Sequence, residues 1–131
     1  DLGVSDPDST ANQVRLACQI LARVPDEQRL FLFLNISALH QPNCFYLPEA
    51  THDTVESHAA ALIYVDTQLP PLFRALRKRA PLLALLCSDH GTAYGEEGYS
   101  GHRLAHPVVW TVPYAEVLLS QQPAGQEEGD Q

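Results

Sequence analysis

Leu82-Leu83-Ala84-Leu85-Leu86-Cys87-Ser88-Asp89-His90-Gly91 decides how this chain is read. Leu82 to Cys87 is an unbroken apolar run, short enough to be a strand covered on both faces, the kind found inside parallel sheets flanked by helices. Ser88, Asp89 and His90 then stand where the strand ends. Successive residues of a regular strand point to opposite faces, so Asp89 and His90 can reach one ion only if the strand stops there. Gly91 permits that bend.

Working outward, Leu30 to Ile36 is a second apolar run of strand length, and Val108 to Val112 a shorter third one. Helices are expected between them. Val14, Ala17, Ile20, Leu21 and Val24 form an apolar stripe, with Ser9 or Thr10 as its cap and Pro25-Asp26-Glu27 as its end. Thr51 to Gln68 is read as a helix with Val55, Ala59, Leu62, Ile63 and Leu69 on one face. Pro70-Pro71 then restarts a helix over Leu72 to Arg79. The order helix, strand, helix, strand, strand implies an α/β layer architecture, a mainly parallel sheet with helices on both faces. In such sheets ligands gather beyond the carboxyl ends of strands, where both His40 and the Asp89–His90 pair would lie. One domain over residues 1–119 is expected. Residues 120–131 form an acidic tail with nothing apolar to bury, expected to be disordered.

Composition narrows the function. The chain has 131 residues, 45% of them hydrophobic, enough for one core. A formal charge of −8 argues against nucleic-acid binding, which needs clustered Lys and Arg. The one basic cluster, Arg74, Arg77, Lys78 and Arg79, fits the solvated C-terminal end of a helix. Cys18, Cys44 and Cys87 are odd in number and lack CxxC spacing, so neither a disulfide framework nor a zinc knuckle is suggested, and a cytoplasmic location is expected. No signal peptide and no bilayer-spanning run is read.

Asp89 and His90 carry the chemistry. A carboxylate oxygen and an imidazole nitrogen suit zinc, and manganese less selectively, but two ligands leave a tetrahedral site incomplete. Taken alone, such a dipeptide more commonly closes a turn through an Asp–His hydrogen bond. Ser88, Asp89 and His90 cannot be a hydrolase triad, because three successive residues cannot place base and orienting carboxylate on opposite sides of an imidazole. His102 and His106 have metal-ligand spacing only on a helix, which Gly101 and Pro107 disfavour. His106 is therefore read as an ordinary loop histidine.

Ser-Asp-His-Gly at 88–91, Gly95-Glu96-Glu97-Gly98 and His102 together resemble the C-terminal part of the alkaline phosphatase superfamily, in particular its sulfatase-like branch. His40-x-Pro42 after an apolar run, Tyr64-Val65-Asp66 within a helix and Val112-Pro113 fit in the same order. Gly91 to Tyr99, Gly101-His102-Arg103, His106 to Trp110 and Val112 to Ala115 are closest to a largely uncharacterised group of bacterial sulfatase-like hydrolases. The resemblance spans roughly Leu30 to Leu119. It implies an alkaline phosphatase-like fold, incomplete at the N-terminus, and a metal-dependent hydrolase of phosphate or sulfate esters acting on a small anionic substrate. It further implies Asp89 and His90 as metal ligands, with His40 and His102 as catalytic residues facing the ester oxygens or contributing to a second metal.

Two departures qualify what the resemblance implies. Two-metal members carry an Asp just before the histidine matched by His40, whereas Asn35, Ile36, Ser37, Ala38 and Leu39 stand here, so one ion is expected rather than two. Nothing before Leu30 matches the family's nucleophile segment. Asp6-Pro7-Asp8-Ser9-Thr10 suits helix capping instead. The chain alone is thus expected to be inactive, needing a missing N-terminal segment, with self-association through unpaired strand edges as the other expected contact. The alternatives are a degenerate, catalytically inactive fragment that binds metal or protein, and an α/β domain with no site.

Overall fold

The computed structural model describes residues 2–122. Three helices form its core, and the stripe on the first of them works as its spacing requires. In α1 (Ser9–Leu21), Val14, Ala17 and Leu21 are buried and meet Leu72 of α3 (Pro70–Arg79), with Cys18, Leu34, Leu69, Ala75 and Leu76 around them. Ile20, also counted in the stripe, is half exposed. Ser9 and Thr10 do not cap α1 but lie within it, fully buried, and Asp8 takes the cap position without a side-chain capping bond. Pro70 and Pro71 open α3, where their missing amide hydrogens cost no helical bond.

Arg79 departs from the expected solvated cluster. Its guanidinium donates to the carbonyls of Leu21 at 3.2 Å, Val24 at 2.7 Å and Pro25 at 2.6 Å, and pairs with Asp26 at 3.2 Å. The end of α1 leaves carbonyls without helical partners, and Arg79 satisfies them from the neighbouring helix.

The helix α2 runs from Val55 to Gln68, four residues later than expected at its start, because Thr54 caps it. The Thr54 hydroxyl accepts from the Ser57 amide at 3.1 Å and the Ser57 hydroxyl accepts from the Thr54 amide at 2.8 Å, a reciprocal box. Its buried face also differs. Ser57, Ala61 and Val65 point inward, while Val55, Leu62 and Ile63 are exposed. Small residues on the inner face let the backbone approach α1 and the 3-10 turn Cys44–Tyr46.

The expected parallel sheet is overturned. Among the described residues there are two two-stranded sheets, both antiparallel. The strand β1 (Leu82–Cys87) forms as the apolar run demands, but pairs with β4 (Tyr114–Leu119) in the register Leu82 to Leu119 through Cys87 to Tyr114. The second sheet is the short pair β2 (Ala93–Tyr94) and β3 (Ser100–Gly101). The fold is therefore not the alkaline phosphatase-like α/β arrangement. Leu30 to Ile36 is not a strand. Its Leu34 packs against the helical core and its Asn35 carbonyl accepts from Gln13 at 2.9 Å, while Phe31 is 92% and Phe33 77% exposed. The Leu34 side chain and the Asn35 backbone carbonyl anchor it. Val108 to Val112 is not a strand either, since Pro107–Trp110 forms the single helical turn α4. His106 caps that turn and Pro107 pre-sets its first φ angle.

After β4, the Gln121 side-chain amide donates to the carbonyls of Lys78 and Arg79, and the Gln122 amide to that of Arg77. The remainder of the expected acidic tail lies outside the described residues. No helix among the described residues is long and apolar enough to cross a membrane.

Candidate functional site

Three separate segments bring His40, His90 and His102 together. His40 follows the apolar run Leu30 to Ile36, His90 follows β1, and His102 follows β3. The His102 ring stacks on His90 with centroids 4.4 Å apart and meets His40 edge-on at 5.5 Å. Burial, followed by the nearby His90 and His40, lowers the pKa of His102 from its ordinary value of 6.5. It therefore sits neutral near pH 7.

Two of the rings have one nitrogen held by a backbone partner. Nδ1 of His90 donates to the Gly91 carbonyl at 2.9 Å, and Nδ1 of His40 donates to the Gln41 carbonyl. A carbonyl can only accept, so in both rings Nδ1 carries a proton. Asp89 is exposed. One of its oxygens accepts from the His90 amide at 3.1 Å, and the other lies 3.7 Å from His90 Nε2.

That donor pair fits part of a metal site. Two ligands at about 2.0–2.1 Å from one zinc ion in tetrahedral geometry are roughly 3.3 Å apart, close to the Asp89–His90 separation. Among the described residues, however, no group of three or more His, Cys, Asp or Glu side chains is arranged to hold an ion. Asp89 and His90 could supply at most two ligands to such an ion. The turn-closing use of Asp89 is also present, through its bond to the His90 amide.

The residue that holds the His40 loop is Asn43, which motif reading passed over. Its side chain is fully buried. Its amide group donates to the Tyr94 hydroxyl at 2.9 Å and to the Leu39 carbonyl at 3.4 Å, and its carbonyl oxygen accepts from Ser57. The backbone amides of Asn43 and Cys44 both donate to Asp53, at 2.7 and 2.8 Å. The Tyr94 hydroxyl, accepting from Asn43, also shares a hydrogen bond with Nδ1 of His58 at 2.9 Å. Burial lowers the pKa of His58 and so favours its neutral form. Loop, α2 and β2 are thus tied together three residues from His40. A polar residue pair such as Asn43 and Ser57, far apart in sequence, carries no periodicity that would reveal it.

Gly91 does more than permit a bend. A Cβ there would lie 2.0 Å from the Val108 carbonyl oxygen, and the Gly91 amide donates to the Val109 carbonyl at 2.7 Å. The backbone after His90 is pressed against α4. His106 does not join the other histidines in any ring contact; its Nδ1 accepts from the Val108 amide at 3.2 Å and its Nε2 lies 3.5 Å from Glu97. Comparison with known proteins finds no matching family model, no match among curated proteins and none among solved structures.

Proposed function

We propose that this chain carries part of the site of a metal-dependent hydrolase of phosphate or sulfate esters. Asp89 and His90 are two ligands of a single divalent ion, zinc or manganese. His40 and His102 face the ester oxygens. The nucleophile comes from a segment this chain lacks. The observation that supports this reading is the gathering of His40, His90 and His102 from three segments. A divalent ion supplies Lewis acidity toward an anionic ester. The neutral His102 can take up or pass on a proton near pH 7, and the His40 ring, oriented by its Nδ1 bond, can position an ester oxygen.

A second reading is a catalytically inactive metal- or protein-binding fragment, in which Asp89 closes the turn through its bond to the His90 amide. Elemental analysis after zinc loading separates the two, run on the chain and on a version extended upstream. The hydrolase reading expects about one equivalent of metal in the extended protein. Asp89→Ala should abolish it, whereas His102→Ala should keep the metal and lower turnover. Unchanged metal stoichiometry in Asp89→Ala sinks the ligand assignment, and metal without ester hydrolysis supports the fragment reading.

A further inference from the structure

We infer that His106 is an acid-released latch on the turn that carries His90. With its ring neutral, His106 caps α4, and α4 holds the backbone of Gly91. With its ring protonated, the cap is lost and the hold on Gly91 loosens.

The cap fixes the protonation state of the ring. At the start of α4, Pro107 has no amide hydrogen, and the amides of Val109 and Trp110 donate to the His106 carbonyl at 2.9 and 3.4 Å. Val108 alone needs a side-chain acceptor, and Nδ1 of His106 takes its hydrogen at 3.2 Å. A ring nitrogen that accepts from an N–H carries no proton, so the single proton of this imidazole is on Nε2 and the ring is uncharged. A second proton, taken from solvent, can enter only at Nδ1, where it meets the Val108 hydrogen head-on. Capping and charge therefore exclude each other in this ring.

The groups facing the ring favour the charged state. Nε2 lies 3.5 Å from the Glu97 carboxylate. Glu96 shares the 3-10 turn Glu96–Gly98, and its carboxyl is held below its ordinary value first by backbone amides and in smaller part by His106. Tyr99 follows the turn, with its ring centroid 5.6 Å from that of His106. α4 itself brings no titratable side chain. A cationic His106 thus has carboxylates to pair with. Only 12% of its side chain is exposed, so the Val108 bond is lost inside the fold rather than exchanged for full hydration.

Release reaches His90 through a short run of bonds. The Gly91 amide donates to the Val109 carbonyl at 2.7 Å, and a Cβ at Gly91 would lie 2.0 Å from the Val108 carbonyl oxygen, so a shift of α4 carries Gly91 with it. The Gly91 carbonyl in turn accepts from Nδ1 of His90 at 2.9 Å. The element with two states is the His106 ring, and the bonds to Gly91 pass its state on. As regulation of the proposed metal site the latch rests on that reading; as a conformational device it stands apart from it.

The test is a titration of the metal-free chain from pH 8 to pH 5. Nitrogen-15 shifts report each histidine ring, and hydrogen exchange corrected for intrinsic rates reports the amides of Val108 and Gly91. The expected result is an unprotonated Nδ1 of His106 at pH 8 and, as that ring takes its proton, a fall of about tenfold or more in the protection of both amides. His106→Asn, whose side-chain oxygen can cap without titrating, should keep the protection at pH 5. Protection that survives protonation of His106, or a His106 ring that stays neutral down to pH 5, overturns the inference. So does loss of Gly91 protection in His106→Asn over the same range, which assigns the acid effect to His90 itself. None of these readouts uses metal or ester, so failure of the hydrolase reading leaves them intact.

Discussion

Replacing Asn43 with alanine should be among the most damaging single changes outside the helical core. The substitution removes the side-chain donor to Tyr94 and the acceptor for Ser57, together with the longer contact to the Leu39 carbonyl. Neutral hydrogen bonds of good geometry are each worth about 1 kcal/mol net, and the small void left by the amide group adds about 1 kcal/mol more, so the expected loss is about 3 kcal/mol. Ser57 is not orphaned, because its hydroxyl can still donate to the Thr54 carbonyl at 2.9 Å, which keeps the figure from rising further. Urea denaturation at 25 °C followed by circular dichroism measures the loss. Asn43→Asp, which keeps the volume but loses the donors and brings a carboxylate near Asp53, should cost at least as much. The His40 ring resonances should shift in both variants as the loop is released from α2 and β2. A loss below about 1 kcal/mol in Asn43→Ala would mean that the network is dispensable and that His40 is placed by something else.

Other expectations follow from the same geometry. Arg79→Ala should destabilise the chain by about 2–3 kcal/mol, since charge-assisted bonds to several carbonyls are lost; Arg79→Lys should recover little of it, because an ammonium cannot span the same set. Full recovery by lysine in thermal melts would show that charge alone matters there. Gly91→Ala should cost about 3 kcal/mol or more through the clash with the Val108 carbonyl, and an unchanged melting temperature would contradict the close approach. The lowered pKa of His58 means that the unfolded chain takes up a proton first as pH falls below 6.5. Its contribution to stability is therefore complete above that pH and declines below it. His58→Gln should reduce the slope of unfolding free energy against pH between 7.5 and 5, and a slope identical to that of the original chain would assign the pH dependence to other groups.

Much of the local structure was legible in the residues. The spacing of Val14, Ala17 and Leu21 placed α1 and most of its buried stripe, the Pro70-Pro71 pair marked the start of α3, and Leu82 to Cys87 was a strand as its length and composition required. The same reading named three of the histidines that the fold gathers. Those results share a cause, because helix periodicity, proline geometry and apolar run length act over a few residues.

Pairing and covering were decided only in three dimensions. An unbroken apolar run records what a strand would bury once something covers it, and is silent on whether a neighbour is present. Leu30 to Ile36 accordingly formed no strand, β1 took an antiparallel partner from Tyr114 to Leu119, and the expected parallel sheet did not form among the described residues. Val108 to Val112 went to a helical turn because His106 caps it and the Val109 carbonyl receives the Gly91 amide. The buried face of α2 turned on Ser57 and Ala61 rather than on its larger apolar residues, since close approach and a polar bond to Asn43 outweighed side-chain size. The sequence by itself determined α1, the start of α3 and the strand Leu82 to Cys87, because helix periodicity, proline geometry and apolar run length are local. The tertiary structure decided which edges are paired and which histidines meet, because both depend on contacts between residues tens of positions apart that no local pattern encodes.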